Sequence, residues 1–183
     1  LPTPDLQGIR DACTRHGALL VYDEIQCGLG RAGVIGFAPQ PDVRTLAKAL
    51  GGGLPLGAAI ASGPVRDIFS PGDHGSTFGG NPVACAAGSA FLDVLIAQDL
   101  AGRCAREGAL LRGKLEDGGV RVTGQGLMLA VHLEQPSGPV LSRMREAGVL
   151  ACGAGALAVR LLPPYTATRT ELGTMAEAVL SAR

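Results

Sequence analysis

The sequence predicts an α/β fold through its first half and a small α+β unit through its second. Three observations carry this. A helical pattern runs straight into ALLVYDE (18–24), a short apolar run closing on two acids, which is how a parallel strand ending in a functional loop reads. Glycine is abundant, at 28 residues, and much of it gathers in loops between apolar segments. Near residue 99 the composition shifts: charges spread evenly, and glycine no longer clusters around polar motifs. The predicted division is therefore 1–98 and 99–183.

The elements follow in order. From Thr3 to His16, Leu6, Ile9, Arg10 and Cys13 recur at helical spacing, with Gly17 as the terminating residue. The strand at 18–24 is expected to be buried. Residues 25–58 are loop-rich, with a brief strand at 43–46 before Lys48. A second buried strand is expected at 57–63, then a short helix at 64–69 with Pro64 near its start. The loop SPGDHGSTFGGNP (70–82) leads into a long Ala- and Leu-rich helix from Val83 to about Gln98. Beyond it the pattern gives a helix (100–115), strands (120–123 and 127–133), a helix (140–147), strands near 149–152 and 158–161, and a closing helix (169–182).

Composition excludes several functions. Sixteen basic residues balance sixteen acidic ones, so no charge excess drives nucleic-acid binding. Two tyrosines, four phenylalanines and no tryptophan leave little for base stacking. No apolar run approaches the roughly 20 residues that span a bilayer, and the first residues lack the pattern of a signal peptide. Five cysteines, an odd number with no C-x-x-C pair, argue against a disulfide framework or zinc site and for a reducing, cytoplasmic setting.

Lysine is nearly absent: Lys48 and Lys114 stand against fourteen arginines. Arginine stays protonated at any ordinary pH and cannot serve as a nucleophilic amine. Lys48 sits in TLAKALGGGLPLG (45–57), where apolar neighbours would favour the neutral amine. A solvent-exposed lysine before a flexible loop fits the same spacing. Asp23 and Glu24 close a strand, the edge where open α/β sheets bind ligands; a lone carboxylate there equally caps the next turn. HGSTFGGNP (74–82) places Ser76, Thr77 and free amides before a helix, a phosphate-binding arrangement and equally an N-capping loop. An acid for a ring nitrogen, a lysine for an aldehyde and donors for a phosphate together match pyridoxal 5'-phosphate (PLP).

Four stretches in order, HGALLVYDEIQCGLGRAG, PDVRTLAKALGGGLPLGAAIAS, HGSTFGGNPVACAAG and AVRLLPPYTATRTEL, make the chain resemble the class III PLP-dependent aminotransferases, most closely their acetylornithine and ornithine branch. The resemblance implies fold type I: a partial large domain with a mixed, mostly parallel sheet, then a small C-terminal α+β domain. It implies that Asp23 pairs with the pyridine nitrogen and that Gln26 contacts the phenolic oxygen. It implies that Lys48 forms the internal aldimine and shuttles the proton. Thr77, with Ser76, would bind the cofactor phosphate of the neighbouring subunit of a homodimer. Arg160 would hold the substrate α-carboxylate as a bidentate pair; a structural ion pair suits an arginine beside a strand as well. Glu24, Arg31, His16, His74 and His132 receive structural roles. Cys27 stands where the family usually has Thr.

The implied activity is amino transfer from N-acetylornithine or ornithine to 2-oxoglutarate, in arginine biosynthesis, with small amino-acid and 2-oxo-acid substrates and neither nucleic acid nor membrane as partner. Family members are about twice this length, so the chain is expected to be a C-terminal half. It matches no upstream phosphate loop, ring-stacking aromatic or gating glutamate. Two alternatives stay open. One is another class III aminotransferase, acting on 4-aminobutyrate, putrescine or succinylornithine; the other is a non-catalytic remnant.

Overall fold

The computed structural model describes residues 5–183. Contacts divide the chain into two compact units. The first holds the residues up to Leu29 together with Ile35–Asp99; the second holds Gly30–Val34 and Leu100–Arg183.

The first unit opens with helix α1 (Leu6–His16). Asp5 caps it by accepting from the Gly8 amide at 2.9 Å, and Gly17 ends it in the left-handed conformation at φ 64°. The predicted start at Thr3 lies outside the described residues. Three strands follow: β1 (Val21–Asp23), β2 (Val43–Leu46) and β3 (Ala58–Ala61). They form a mixed sheet in the order β1-β2-β3, with β2 parallel to β1 and antiparallel to β3. Helix α2 (Pro82–Ala97) closes the unit, with Pro82 at its first position. Its cap is Asn81, whose Oδ1 accepts from the amides of Val83 at 3.0 Å and Ala84 at 3.2 Å.

Three expectations are corrected here. The strand expected at 18–24 is only three residues long, and Val21 is 53% exposed. The strand expected to be buried at 57–63 runs Ala58–Ala61 and is exposed at every position. In the sheet this chain forms, both have a strand neighbour on one side only, and their apolar side chains are not covered by the chain's own residues. The helix expected at 64–69 is a single 3₁₀ turn, Gly63–Val65, because Gly63 enters it at φ 57° and one i→i+3 bond closes it.

The second unit contains α3 (Leu100–Asp117), β4 (Arg121–Gln125), β5 (Met128–His132), α4 (Ser137–Glu146), β6 (Cys152–Gly153), β7 (Ala158–Leu161) and α5 (Arg169–Ala182). Its sheet is antiparallel throughout, in the order β4-β5-β7-β6. Alternation sends Val122, Leu129, Val131, Val159 and Leu161 into one core with Leu111, Leu115, Val140, Met144 and Val179 of the three helices. Each such side chain contributes about 1.5–3 kcal/mol by leaving water. Segment 30–34 is held to this unit by the Leu127 amide, which donates to the Arg31 carbonyl at 3.1 Å. The Arg31 guanidinium also bonds the Pro163 carbonyl and stacks 4.0 Å over the Tyr165 ring. Among the described residues, no single helix is long and apolar enough to cross a membrane.

Candidate active site

The carboxyl edge of the parallel pair β1–β2 gathers the first group of residues. Asp23 is the last residue of β1, and its register partner is Thr45. Its Oδ1 accepts two bonds, from the Ile25 amide at 3.1 Å and from the Thr45 hydroxyl at 3.2 Å. Gln26, half-buried, lies in the turn that follows. Lys48 comes three residues after Thr45, so the segment that bears the lysine leaves the sheet at the same edge that bears Asp23.

Lys48 has a backbone φ of 51°, a left-handed conformation unusual for a side chain with a Cβ. Such a residue costs roughly 1–3 kcal/mol and is a common mark of functional sites. It starts a 3₁₀ turn, Lys48–Gly51, closed by Gly52 at φ 59°. Leu50 of this turn is buried, whereas Lys48 is exposed. The apolar enclosure expected for this amine is therefore a property of its sequence neighbours and not of its own side chain. Helix α2 seats the turn through Gly88: a Cβ there would stand 3.0 Å from the Leu50 carbonyl oxygen and 2.7 Å from Leu56 Cδ2. Only glycine lets the helix approach so closely.

Behind the edge lies a charged pair. Glu24, 2% exposed, bonds the Arg44 guanidinium through Oε1, which also accepts from the Phe37 amide at 3.4 Å. Arg44 in turn donates to the Phe37 carbonyl at 3.0 Å. The structural role expected for Glu24 fits this arrangement; the sequence reading passed over Arg44, its counter-ion. Thr45 was passed over too. The signal for both is positional, since they lie on β2 beside Asp23 at the end of β1 and Glu24 just after it, and that pairing is visible only in three dimensions. Burial pushes the Cys27 thiol and the Tyr22 hydroxyl above their ordinary values.

Ser76 and Thr77 lie in the exposed 70–81 loop before α2. Ser76 Oγ accepts from the Gly79 amide at 2.9 Å, which leaves its own hydrogen to donate. Arg160 belongs to the second unit, half-buried on β7 between Ala130 of β5 and Cys152 of β6. The structure thus brings Asp23, Thr45 and Lys48 to one edge with Gln26 in the adjoining turn. The Ser76–Thr77 loop and Arg160 stand on other elements. His132 bonds Thr123 at 2.9 Å and His74 lies against the Phe69 ring, with centroids 6.1 Å apart. Among the described residues, no group of three or more His, Cys, Asp or Glu could hold a metal. A carboxylate with one oxygen unengaged among the described residues, an exposed lysine and a hydroxyl-bearing loop form a set that suits a phosphorylated pyridine aldehyde.

The profile of the family described as "Aminotransferase class-III" matches residues 2–182. Acetylornithine aminotransferase 1 of Bordetella pertussis is 46% identical over 170 residues, which cover 87% of this chain and 43% of that protein. Among solved structures, the ornithine aminotransferase of Plasmodium yoelii superposes with a TM-score of 0.92 at 31% identity, over 100% of this chain and 52% of the other. The ornithine aminotransferase of Toxoplasma gondii, described with partial occupancy of PLP at its active site, gives 0.90 at 32% identity, over 97% and 45%. The chain spans about half the length of the relatives it matches.

Proposed function

This chain belongs to the class-III aminotransferase family, whose members depend on PLP, and we propose that it is the lysine-bearing part of a transaminase acting on N-acetylornithine or ornithine with 2-oxoglutarate as acceptor. The observation that carries the reading is the shared edge: Asp23 closes β1 opposite Thr45, and Lys48 follows Thr45 by three residues.

When bound, PLP supplies an electron-poor ring that accepts the electron pair left as a proton departs from the substrate carbon. The chain's residues do the rest. Asp23 would accept the ring N–H and keep that nitrogen protonated. Gln26 would contact the phenolic oxygen. The Lys48 amine would take the proton from the substrate α-carbon and return it two atoms along, across the nitrogen, to the carbon that was the cofactor's aldehyde; no histidine is required. Ser76 and Thr77 donate to the phosphate of the neighbouring subunit in a homodimer, an arrangement that agrees with the Ser76 hydrogen left free by its turn. Arg160 pairs with the substrate carboxylate. The proposal places the enzyme in the cytoplasm and in arginine biosynthesis. It also takes residues 1–98 as part of a cofactor domain and 99–183 as the small domain.

The test uses the whole polypeptide that carries this chain. Borohydride should lock PLP onto Lys48, as read by peptide mass mapping. Lys48→Ala should abolish that labelling and lower amino transfer by about a thousandfold or more. Label on another lysine would overturn the assignment. Comparing N-acetylornithine, ornithine, 4-aminobutyrate and putrescine as donors decides the substrate.

A further inference from the structure

We infer that Thr45 is a positioning residue for Asp23, holding the carboxylate by one oxygen so that the other is reserved for the nitrogen of a protonated heterocycle. The inference rests on the reading of Asp23 as the ring-nitrogen acceptor and goes beyond it by explaining how an exposed carboxylate is held ready.

Asp23 is open to solvent, so packing does not fix its side chain. Its orientation comes from hydrogen bonds. Among the described residues, the two donors that reach it, the Ile25 amide at 3.1 Å and the Thr45 hydroxyl at 3.2 Å, both end on Oδ1. Two donors on one oxygen select a rotamer and leave the lone pairs of Oδ2 unspent. Thr45 can do this because it is the direct register partner of Asp23 in a parallel pair, where residues in register present their side chains to one face. The backbone reinforces the grip, since the Glu24 amide donates to the Thr45 carbonyl at 3.0 Å. Thr45 is thus tied to the end of β1 through both main chain and side chain. Three residues on, the same segment reaches Lys48 in its left-handed turn. One residue therefore orients the carboxylate and begins the stretch of chain that delivers the amine.

A bland role for Thr45 is available: β-branched residues suit strands. Valine separates the two roles, because it keeps the shape and strand preference and removes only the hydroxyl. In the whole polypeptide, PLP loading is measured by equilibrium dialysis for the parent, Thr45→Val, Thr45→Ser and Asp23→Ala. The same series is repeated with a deaza analogue of PLP in which a C–H replaces the ring nitrogen. Thr45→Val should weaken PLP binding about three- to tenfold, as expected for one hydrogen bond to a charged group at an exposed site. Thr45→Ser should stay within about twofold of the parent, because it keeps the donor. With the deaza analogue the parent and Thr45→Val should bind alike, since the reserved oxygen then has no N–H to meet. Equal PLP affinity for Thr45→Val and the parent overturns the inference, and so does an equal loss with both cofactors. Should the valine variant fail to fold, a loss of affinity in Thr45→Ser overturns it instead. Asp23→Ala separates the two levels. If it leaves PLP binding unchanged, the reading of Asp23 itself falls; if it weakens binding while Thr45→Val does not, only the role of Thr45 falls.

Discussion

In the second unit, Leu115, Leu127, Val131, Val140, Met144 and Val159 lose essentially all exposure to solvent, in one continuous core beneath an antiparallel sheet. In the first unit, Leu19, Val21, Ile60 and Ile68 stand about half in water, and Phe69 more than that. The first unit instead ties its elements together with polar bonds. Glu24, the residue after β1, pairs with Arg44 of β2. Asp42 accepts from Arg10 of α1 and from the Leu20 amide, each at 2.7 Å. The Ser62 hydroxyl donates to the Pro41 carbonyl at 2.8 Å. Within this chain, which spans about half the length of the relatives it matches, the residues with chemical promise sit where directional bonds set positions. Directional bonds fix angles well and tolerate loss poorly.

The sharpest way to break this contrast is at Glu24. Replacing Arg44 with Met leaves a buried carboxylate without its counter-ion, which typically costs about 3–5 kcal/mol. Hydrogen exchange of the Glu24 and Val43 amides should accelerate, while amides of the second unit stay protected. Adding Glu24→Gln to Arg44→Met should recover part of the loss, because the uncompensated charge is then gone. If Arg44→Met alone leaves those amides protected, polar bonds do not hold the first unit as argued.

A matched pair of apolar truncations comes next. Leu115→Ala empties a site with no solvent exposure and should cost about 2–5 kcal/mol in urea unfolding of this chain. Val21→Ala removes a side chain that is half in water and should stay within about 0.5 kcal/mol. Similar costs at the two positions would erase the difference between the units.

Much of the fold was legible in the sequence. The strands Val43–Leu46 and Ala158–Leu161 and the helix Arg169–Ala182 lie where periodicity put them, because each is bounded by strong local signals. For the helix the signal is the Thr168 cap, which receives the Glu171 amide while Glu171 bonds back to it. Burial of the first unit's strands was not legible, since an apolar run does not say what covers it. Lys48 teaches the same at the scale of one turn: Leu50 turns inward and the lysine does not. Asp23 and Lys48 stand out as candidates in the sequence because each carries its chemistry in its own residue type, one closing a strand and the other following one. Thr45 and Arg44 could not, because their importance comes from cross-strand register. The Arg31 contact with Pro163 spans 132 residues of chain and has no local trace.

The smallest effect expected is one of pH. The Leu20 amide, and after it the Arg10 guanidinium, hold the Asp42 carboxyl below the ordinary carboxylate range. The unfolded chain has neither partner, so its Asp42 titrates near the ordinary value of about 4. Between the two values the unfolded state binds more protons than the folded one, and stability therefore falls as pH falls. The contribution of Asp42 is complete above about pH 4 and disappears as pH drops through the lowered folded value. Glu171, held down by the Thr168 amide and then the Thr168 hydroxyl, acts with the same sign in the second unit, so a global melt would mix the two. Exchange of the Leu20 amide isolates the first. Asp42→Asn should speed that exchange modestly at neutral pH, and the difference from the parent should shrink as the solution is acidified below about pH 4. A difference that persists unchanged into acid would mean that the neutral side chain serves the Leu20 amide as well as the charged one, and that charge contributes nothing to this tie.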